Sequence, residues 1–329
     1  MVFRTLFFMP VLVLSYFALL LIFSLGAEQM SAANWLLEIN DATEGAKDAP
    51  GFSHSLLRLR EVETAQAVDI LFLGSSHAYR SFDTRIFQKA GFSSFNLGST
   101  AQTSLNSYYL LRRYFDRFQP KLIIFETYYK VFESEDGLES FYDLARNAPL
   151  TGDLLAMAFA TRSPQAVHFF FSEYFKRIKS GLNLRPPARF PGETYIPGGY
   201  VETAGVLREQ TERLRHEVAL LSGRQWSYLS RIIAFAKNHG VRIVLVVQPL
   251  PREYLDAILN YKSISARFNE FAKKNNVAYY DFNERMTLDS SKDFMSGSHL
   301  NSSGVEKFNN RLIQDLKKEL DEIRSDTRP

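Results

Sequence analysis

The stretch VDILFLGSSHAYRSFD, Val68 to Asp83, carries an apolar run into Gly74, Ser75, Ser76 and His77. In parallel α/β sheets ligands bind beyond the carboxyl ends of the strands. A glycine there lets the chain turn sharply, and the N-terminus of a following helix presents N–H groups that favour negative charge. A serine so placed can attack a carbonyl while its own N–H stabilises the oxyanion. Glycine and serine also favour a plain strand-to-helix turn, so this stretch alone leaves both readings open. A second residue able to do chemistry lies near the other end, His299 in DFMSGSHLNSSGVEKF. A lone histidine is ordinarily a surface or capping residue. His-Leu-Asn-x-x-Gly directly before the last helix is a more restrictive setting.

The segments between these two motifs must bring them together. VDILFLG, FSSFNLG, KLIIFET, VRIVLVVQP and VAYYDF are short apolar runs of strand length. Helices are expected between them: DTRIFQKAG with an Asp start and a Gly stop, TSLNSYYLLRRYFDRF with apolar residues at helical spacing, and AFAKNHG ended by glycine. SSGVEKFNNRLIQDLKKELDEI closes the chain as one helix. Strands alternating with helices imply a mainly parallel five-stranded sheet covered on both faces, a three-layer α/β/α fold. The pattern breaks from about 128 to 200, which reads as a helical insertion with a Pro/Gly-rich loop. A helix is expected to resume over ETAGVLREQTERLRHEVALL, Glu202 to Leu221, from the stripe Leu207, Leu214, Val218 and Leu221, and to continue to AFAKNHG, where glycine stops it.

The 329 residues are 46% hydrophobic and 23% charged, ample for a sizeable core. A net charge of +3 with no basic, aromatic-interleaved stripe argues against nucleic acid as a partner. The chain has no cysteine, which excludes disulfides, thiolate catalysis and Cys-ligated zinc. Its histidines form no spaced ligand cluster, so no metal is expected. No phosphate-cradling or dinucleotide fingerprint is present, so no cofactor is expected either. Thr5 to Gly26 is apolar, uncharged and about the length that crosses a bilayer. Arg4 precedes it and Glu28, Glu38, Asp41 and Glu44 follow, which orients the N-terminus to the cytoplasm. The expected organisation is a transmembrane anchor over residues 1–26, a connector over 27–67 and one α/β domain over 68–329 outside the membrane.

FLGSSH and SHLNSSG together resemble the SGNH, or GDSL-like, hydrolase family, and FNLGSTAQTS is similar to that family's second block. The resemblance covers Val68 to the C-terminus apart from the insertion. It implies that Ser76 is the nucleophile and His299 its general base. It places Ala101 at the second oxyanion donor, a glycine in typical members, and Lys130 near the position of the usual oxyanion asparagine. The aspartate expected three residues before His299 is Ser296. Asp293 is the alternative if the loop folds back; a Ser–His dyad and a catalytically inactive relative are the other readings. The GxSxG elbow of α/β-hydrolases does not fit, because Ala78 stands where its second glycine is required.

Tethered envelope members of the family, the alginate-acetylation and teichoic-acid D-alanylation proteins, are similar to this chain. The resemblance therefore implies acyl transfer to an exported glycan, O-acetylation first among the choices, beside a multi-span membrane-bound O-acyltransferase. It implies a bacterial inner-membrane location with the catalytic domain outside. An envelope esterase and an inactive accessory subunit are the rivals. Among other residues, His77 is expected to point away from Ser76. Arg80 is expected to pair with Asp83 across the turn, or else to bind a substrate anion. Gln248 ends a strand on the same sheet edge and is a candidate pocket residue. HFFFSEYFKRIKSGLNLRPPAR joins an aromatic cluster to five basic residues, as a packed helix with a solvated end, a membrane-surface helix or a partner-docking segment.

Overall fold

The computed structural model describes residues 11–19, 22, 52–180, 192–205 and 216–325. Its strands, in chain order, are β1 (Ile70–Leu73), β2 (Ser94–Asn96), β3 (Leu122–Glu126), β4 (Glu193–Ile196), β5 (Tyr200–Thr203), β6 (Arg242–Val247), β7 (Ala278–Asp281), β8 (Phe294–Ser296) and β9 (His299–Leu300). Five of them form one sheet in the order β2-β1-β3-β6-β7, with every pairing parallel. That is the doubly wound order whose winding reverses between β1 and β3, where such sheets open a crevice.

Successive residues of a strand point to opposite faces. Leu71, Leu73, Ile123, Phe125, Ile243 and Leu245 enter one core. Ile70, Phe72, Leu122, Ile124, Val244 and Val246 enter the other. Both parities are apolar because both faces are covered. The helices are α1 (Phe52–Val62), α2 (Ser76–Ser81), α3 (Thr84–Lys89), α4 (Ser104–Phe118), α5 (Tyr129–Glu133), α6 (Leu138–Asn147), α7 (Gly152–Thr161), α8 (Pro164–Ser180), α9 (Gly223–Asn238), α10 (Arg252–Ala257), α11 (Tyr261–Lys274), α12 (Phe282–Arg285), α13 (Ser302–Asp315) and α14 (Lys317–Arg324). Leu110 of α4, Ile232 of α9 and Phe268 of α11 pack into the first core, and Phe308 of α13 and Ile323 of α14 into the second.

The structure departs from the sequence expectation in three places. The insertion contains helices α5 to α8 but ends in the antiparallel hairpin β4–β5. Its turn needs Gly199, which has φ +88° and lies where a Cβ would sit 2.1 Å from the Asn96 carbonyl oxygen. The helix expected over Glu202–Leu221 is not formed at either described end. Glu202 lies in β5, and residues 216–221 are not helical. Tertiary pairing takes their backbone groups instead: Glu217 N–H donates to the Ala257 carbonyl (3.0 Å) and Leu259 N–H to the Glu217 carbonyl (2.9 Å). Residues 206–215 of that stretch lie outside the described residues. The closing helix is two, divided at the buried Leu316.

The expected anchor lies mostly outside the described residues. Residues 11–19 of it are helical. Among the described residues no helix is long and apolar enough to cross a membrane.

Candidate active site

From Ile70 to Thr84 every residue is buried except Ser76. The local reason is the turn after β1. Gly74 has φ +147°, in a region that side chains disfavour, and a Cβ there would sit 2.6 Å from Cβ of Glu126. Ser75 caps α2, its hydroxyl accepting from the His77 N–H at 3.2 Å. The same hydroxyl donates to Glu126 Oε2 at 2.8 Å, and the Ser75 N–H donates to it at 3.1 Å. The Tyr128 N–H donates to the other carboxylate oxygen of Glu126. One fully buried acid at the end of β3 thus clamps the turn that presents Ser76. Ser75 is spent on structure, which leaves Ser76 as the available hydroxyl.

His299 arrives from the opposite end of the chain on the β8–β9 hairpin. Its Nε2 lies 2.9 Å from Ser76 Oγ. The residue before it is held from two sides: Gln248 Nε2 donates to the Ser298 carbonyl at 2.8 Å, and His77 Nε2 lies 3.0 Å from the Ser298 hydroxyl. Downstream, Asn301 caps α13 by accepting from the Gly304 N–H and donates back to the Lys292 carbonyl at 2.7 Å. The imidazole is thereby fixed at both flanks of its backbone. Burial, followed by the Arg80 guanidinium, holds its pKa down to about 3, with Glu193 opposing. At neutral pH it is an uncharged base with a lone pair available for the Ser76 proton.

His77 does not point away from the site, as its place beside Ser76 suggests it should. Its ring is buried between Tyr128, 3.7 Å between centroids, and His299, 4.5 Å and nearly parallel. Burial, His299 and Arg80 keep His77 well below the usual imidazole pKa. A neutral ring is therefore the floor on which His299 rests. Such aromatic contacts contribute about 1 kcal/mol beyond area. His77→Ala is expected to lower kcat about 5- to 10-fold, and His77→Phe to recover most of it. Steady-state kinetics alongside thermal melts decide the matter, since equal losses of kcat in Ala and Phe variants of unchanged stability rule out a stacking role.

The structure places the remaining candidates as follows. Ala101 lies in the loop after β2, which is laid on the nucleophile turn: Ser99 N–H donates to the Gly74 carbonyl at 3.3 Å. Gly98 in the same loop lies where a Cβ would be 3.0 Å from the Gly74 and Ser75 carbonyl oxygens. Ala101 adopts the left-handed conformation, φ +49°, that explains why glycine suits this position. Among the described residues the N–H groups of Ser76 and Ala101 make no backbone hydrogen bond outside the regular elements.

Asp293 does not supply the third member. Its carboxylate faces α13 and is occupied by Ser303 Oγ (2.8 Å), Lys307 Nζ (2.6 Å) and the Asp289 N–H (3.0 Å). It braces the loop that carries His299. Lys130 pairs with Glu133 (3.2 Å) and Glu217 (2.5 Å), and among the described residues it contacts neither Ser76 nor His299. Arg80 is paired neither with Asp83 nor with an open pocket. Its guanidinium is buried on Glu193 (2.7 Å) and Thr203 (2.9 Å), stitching α2 to the β4–β5 hairpin. Asp83 instead caps α3 and holds Arg85. Gln248 is fully buried between Ser81 and Ser298, so it positions the histidine loop and does not line a pocket.

Sequence reasoning passed over Glu126 and set His77 on the wrong side of the turn. Glu126 did leave a signal, as the one acid ending an otherwise apolar strand in KLIIFET.

No family model matches this chain, and no curated protein matches it. Solved structures similar to it include a GDSL-like lipase from Bacteroides thetaiotaomicron, 14% identical, covering 82% of this chain and 99% of that one with a TM-score of 0.42. Another is TesA, 13% identical, covering 76% of this chain and 98% of that one with a TM-score of 0.38. The GDSL-like lipase is of the class that the Ser76 and His299 motifs resemble; the chemistry assigned to this site rests on its own geometry.

Proposed function

We propose that this chain is a serine enzyme of acyl esters, working through an acyl-serine intermediate. One observation carries this: the single accessible residue of the β1–α2 turn, Ser76, has its hydroxyl 2.9 Å from the His299 imidazole. Ser76 Oγ attacks the ester carbonyl while its proton passes to His299 Nε2. The oxyanion is met by the Ser76 and Ala101 N–H groups. Collapse breaks the ester bond, and the departing alkoxide takes the proton from His299. An acceptor hydroxyl then gives its proton to His299 and attacks the acyl-serine, and Ser76 Oγ leaves as it takes that proton back from His299.

We further propose that the acceptor is a hydroxyl of an exported glycan, and that the acyl group is acetyl. The apolar segment Thr5–Gly26, with Arg4 before it and acids after it, supports a domain tethered outside the membrane. Activated acyl donors are cytosolic, and one span forms no passage. A multi-span O-acyltransferase partner that moves the acyl group across is the complement this arrangement needs.

Purified full-length chain, supplied with an activated acetyl ester and a soluble oligosaccharide, is expected to form acetylated sugar faster than free acetate. Mass spectrometry of the sugar and an acetate assay read the two products. Acetate release with no sugar modification sinks the transferase and leaves an envelope esterase. Neither product, with no labelling of Ser76 by a serine-directed phosphonate, leaves a non-catalytic accessory subunit.

A further inference from the structure

Ala101 has a conformation that needs a cause. Its φ of +49° lies in the left-handed region, where Cβ crowds the backbone and few residues other than glycine settle unaided. A methyl group makes no hydrogen bond that could help, so the help comes from its neighbours. Ser99, Gln102 and Thr103, on either side of it, are all buried. The Ser99 hydroxyl donates to Gln102 Oε1 at 2.8 Å, and Gln102 Nε2 donates to the Ser107 hydroxyl of α4 at 2.9 Å. With its proton so used, the Ser99 hydroxyl accepts from the Ser140 hydroxyl of α6 at 3.0 Å. The Thr100 N–H donates to the carboxylate of Asp143, about one turn further along α6. That carboxylate is held in turn by the Ser55 hydroxyl of α1 (2.6 Å) and by Asn147 Nδ2 (2.9 Å). Just before α6, the Gly137 carbonyl accepts from Asn106 Nδ2 of α4 at 3.1 Å. Ser140, Asp143 and Asn147 share one face of the helix, while Phe141 and Leu144 enter the first core.

We propose that Ser140 and Asp143 of the inserted helix α6 are positioning residues, which hold Ala101 in its left-handed conformation and so aim the second oxyanion donor. This rests on the acyl-ester reading of Ser76. Both side chains are fully buried, and a buried polar group is costly unless it is hydrogen-bonded. Their partners are the two residues that directly precede Ala101. A glycine at 101 needs no such brace, because it enters this region without a steric cost. The alanine does need one, since an oxyanion donor is effective when it is already aimed at the place where charge develops. The inserted helix therefore supplies by tertiary contact what the residue type at 101 withholds.

Ser140→Ala and Asp143→Asn are each made in the full chain, once alone and once together with Ala101→Gly. Alone, each is expected to lower kcat on an activated acetyl ester about 10-fold with KM little changed, the scale on which a left-handed alanine is disfavoured. Affinity for a boronic acid is expected to fall by the same factor, because its tetrahedral adduct on Ser76 meets the same donors. Beside Ala101→Gly, the same substitutions are expected to cost no more than about 2-fold. Equal losses in the two backgrounds overturn the proposal, since the brace then does not act through residue 101. So does a fall in Tm with kcat retained, which makes the contacts structural only. Amide exchange over residues 98–103 reads the loop without any substrate. It is expected to quicken several-fold in Ser140→Ala, and exchange as slow as in the unaltered chain overturns the brace. Quickened exchange in a chain that neither turns over the ester nor takes a phosphonate on Ser76 refutes the acyl-ester reading and leaves the brace.

Discussion

Ser76→Ala loses all labelling by a serine-directed phosphonate and lowers kcat on an activated ester by about 10⁶, the scale seen when a serine nucleophile is removed elsewhere. His299→Ala falls by a similar factor, and the double variant falls little further, because the two side chains act as one unit through their 2.9 Å contact. The pH profile carries a second expectation. The base must be uncharged to accept the proton. Burial and Arg80 hold His299 to about 3, so kcat/KM persists to lower pH than an ordinary imidazole, near 6.5, allows. An acid limb at pH 6 to 7 contradicts this, and full activity in Ser76→Ala ends the acyl-serine mechanism altogether.

Glu126→Ala is expected to be the most damaging substitution outside the reacting pair. It strands three donors, the Ser75 N–H, the Ser75 hydroxyl and the Tyr128 N–H, in a buried place. Leaving such groups unmet costs about 3 kcal/mol or more in sum, a fall in Tm of roughly 6–12 °C for a domain of this size. It also frees the turn that aims Ser76, so kcat falls more than KM rises. Glu126→Gln separates charge from packing. Burial pushes the Glu126 carboxyl up from 4.5 to about 7, against the pull of its three donors. The folded state therefore holds a proton that the unfolded state releases between those values. Its contribution to stability is present in full below pH 4.5 and is lost as pH rises through about 7. The span is worth about 3 kcal/mol. Glutamine does not titrate, so this part of the pH dependence disappears in the variant. Denaturant titrations at pH 4.5 to 8 measure it, and parallel curves for the two proteins mean that Glu126 stays ionised throughout.

Much of this site was legible in one dimension because its backbone demands are local. Gly74 is needed where φ is positive and Glu126 leaves no room for a Cβ. Asn301 and Gly304 are needed to start α13 behind His299. Those requirements leave motifs, and the motifs carry Ser76 and His299. The third partner was not legible. Asp293 lies at a plausible spacing, yet whether a loop carboxylate turns toward an imidazole or toward Ser303 and Lys307 depends on where α13 packs. Arg80 likewise has Asp83 three positions away, but finds Glu193 more than a hundred residues on because the β4–β5 hairpin folds over α2.

By itself the amino-acid sequence determined the parallel sheet, its coverage on both faces, and the two residues able to form a nucleophile and its base. Short apolar runs ended by glycine admit little else, and alternation along the strands assigns the faces. Only the tertiary structure decided what supports the pair. Glu126 meets Ser75 because β1 and β3 are parallel neighbours where the strand order reverses, and His77 meets His299 because α2 and the β8–β9 hairpin share one rim. Such contacts join segments far apart in the chain, and no local spacing records them.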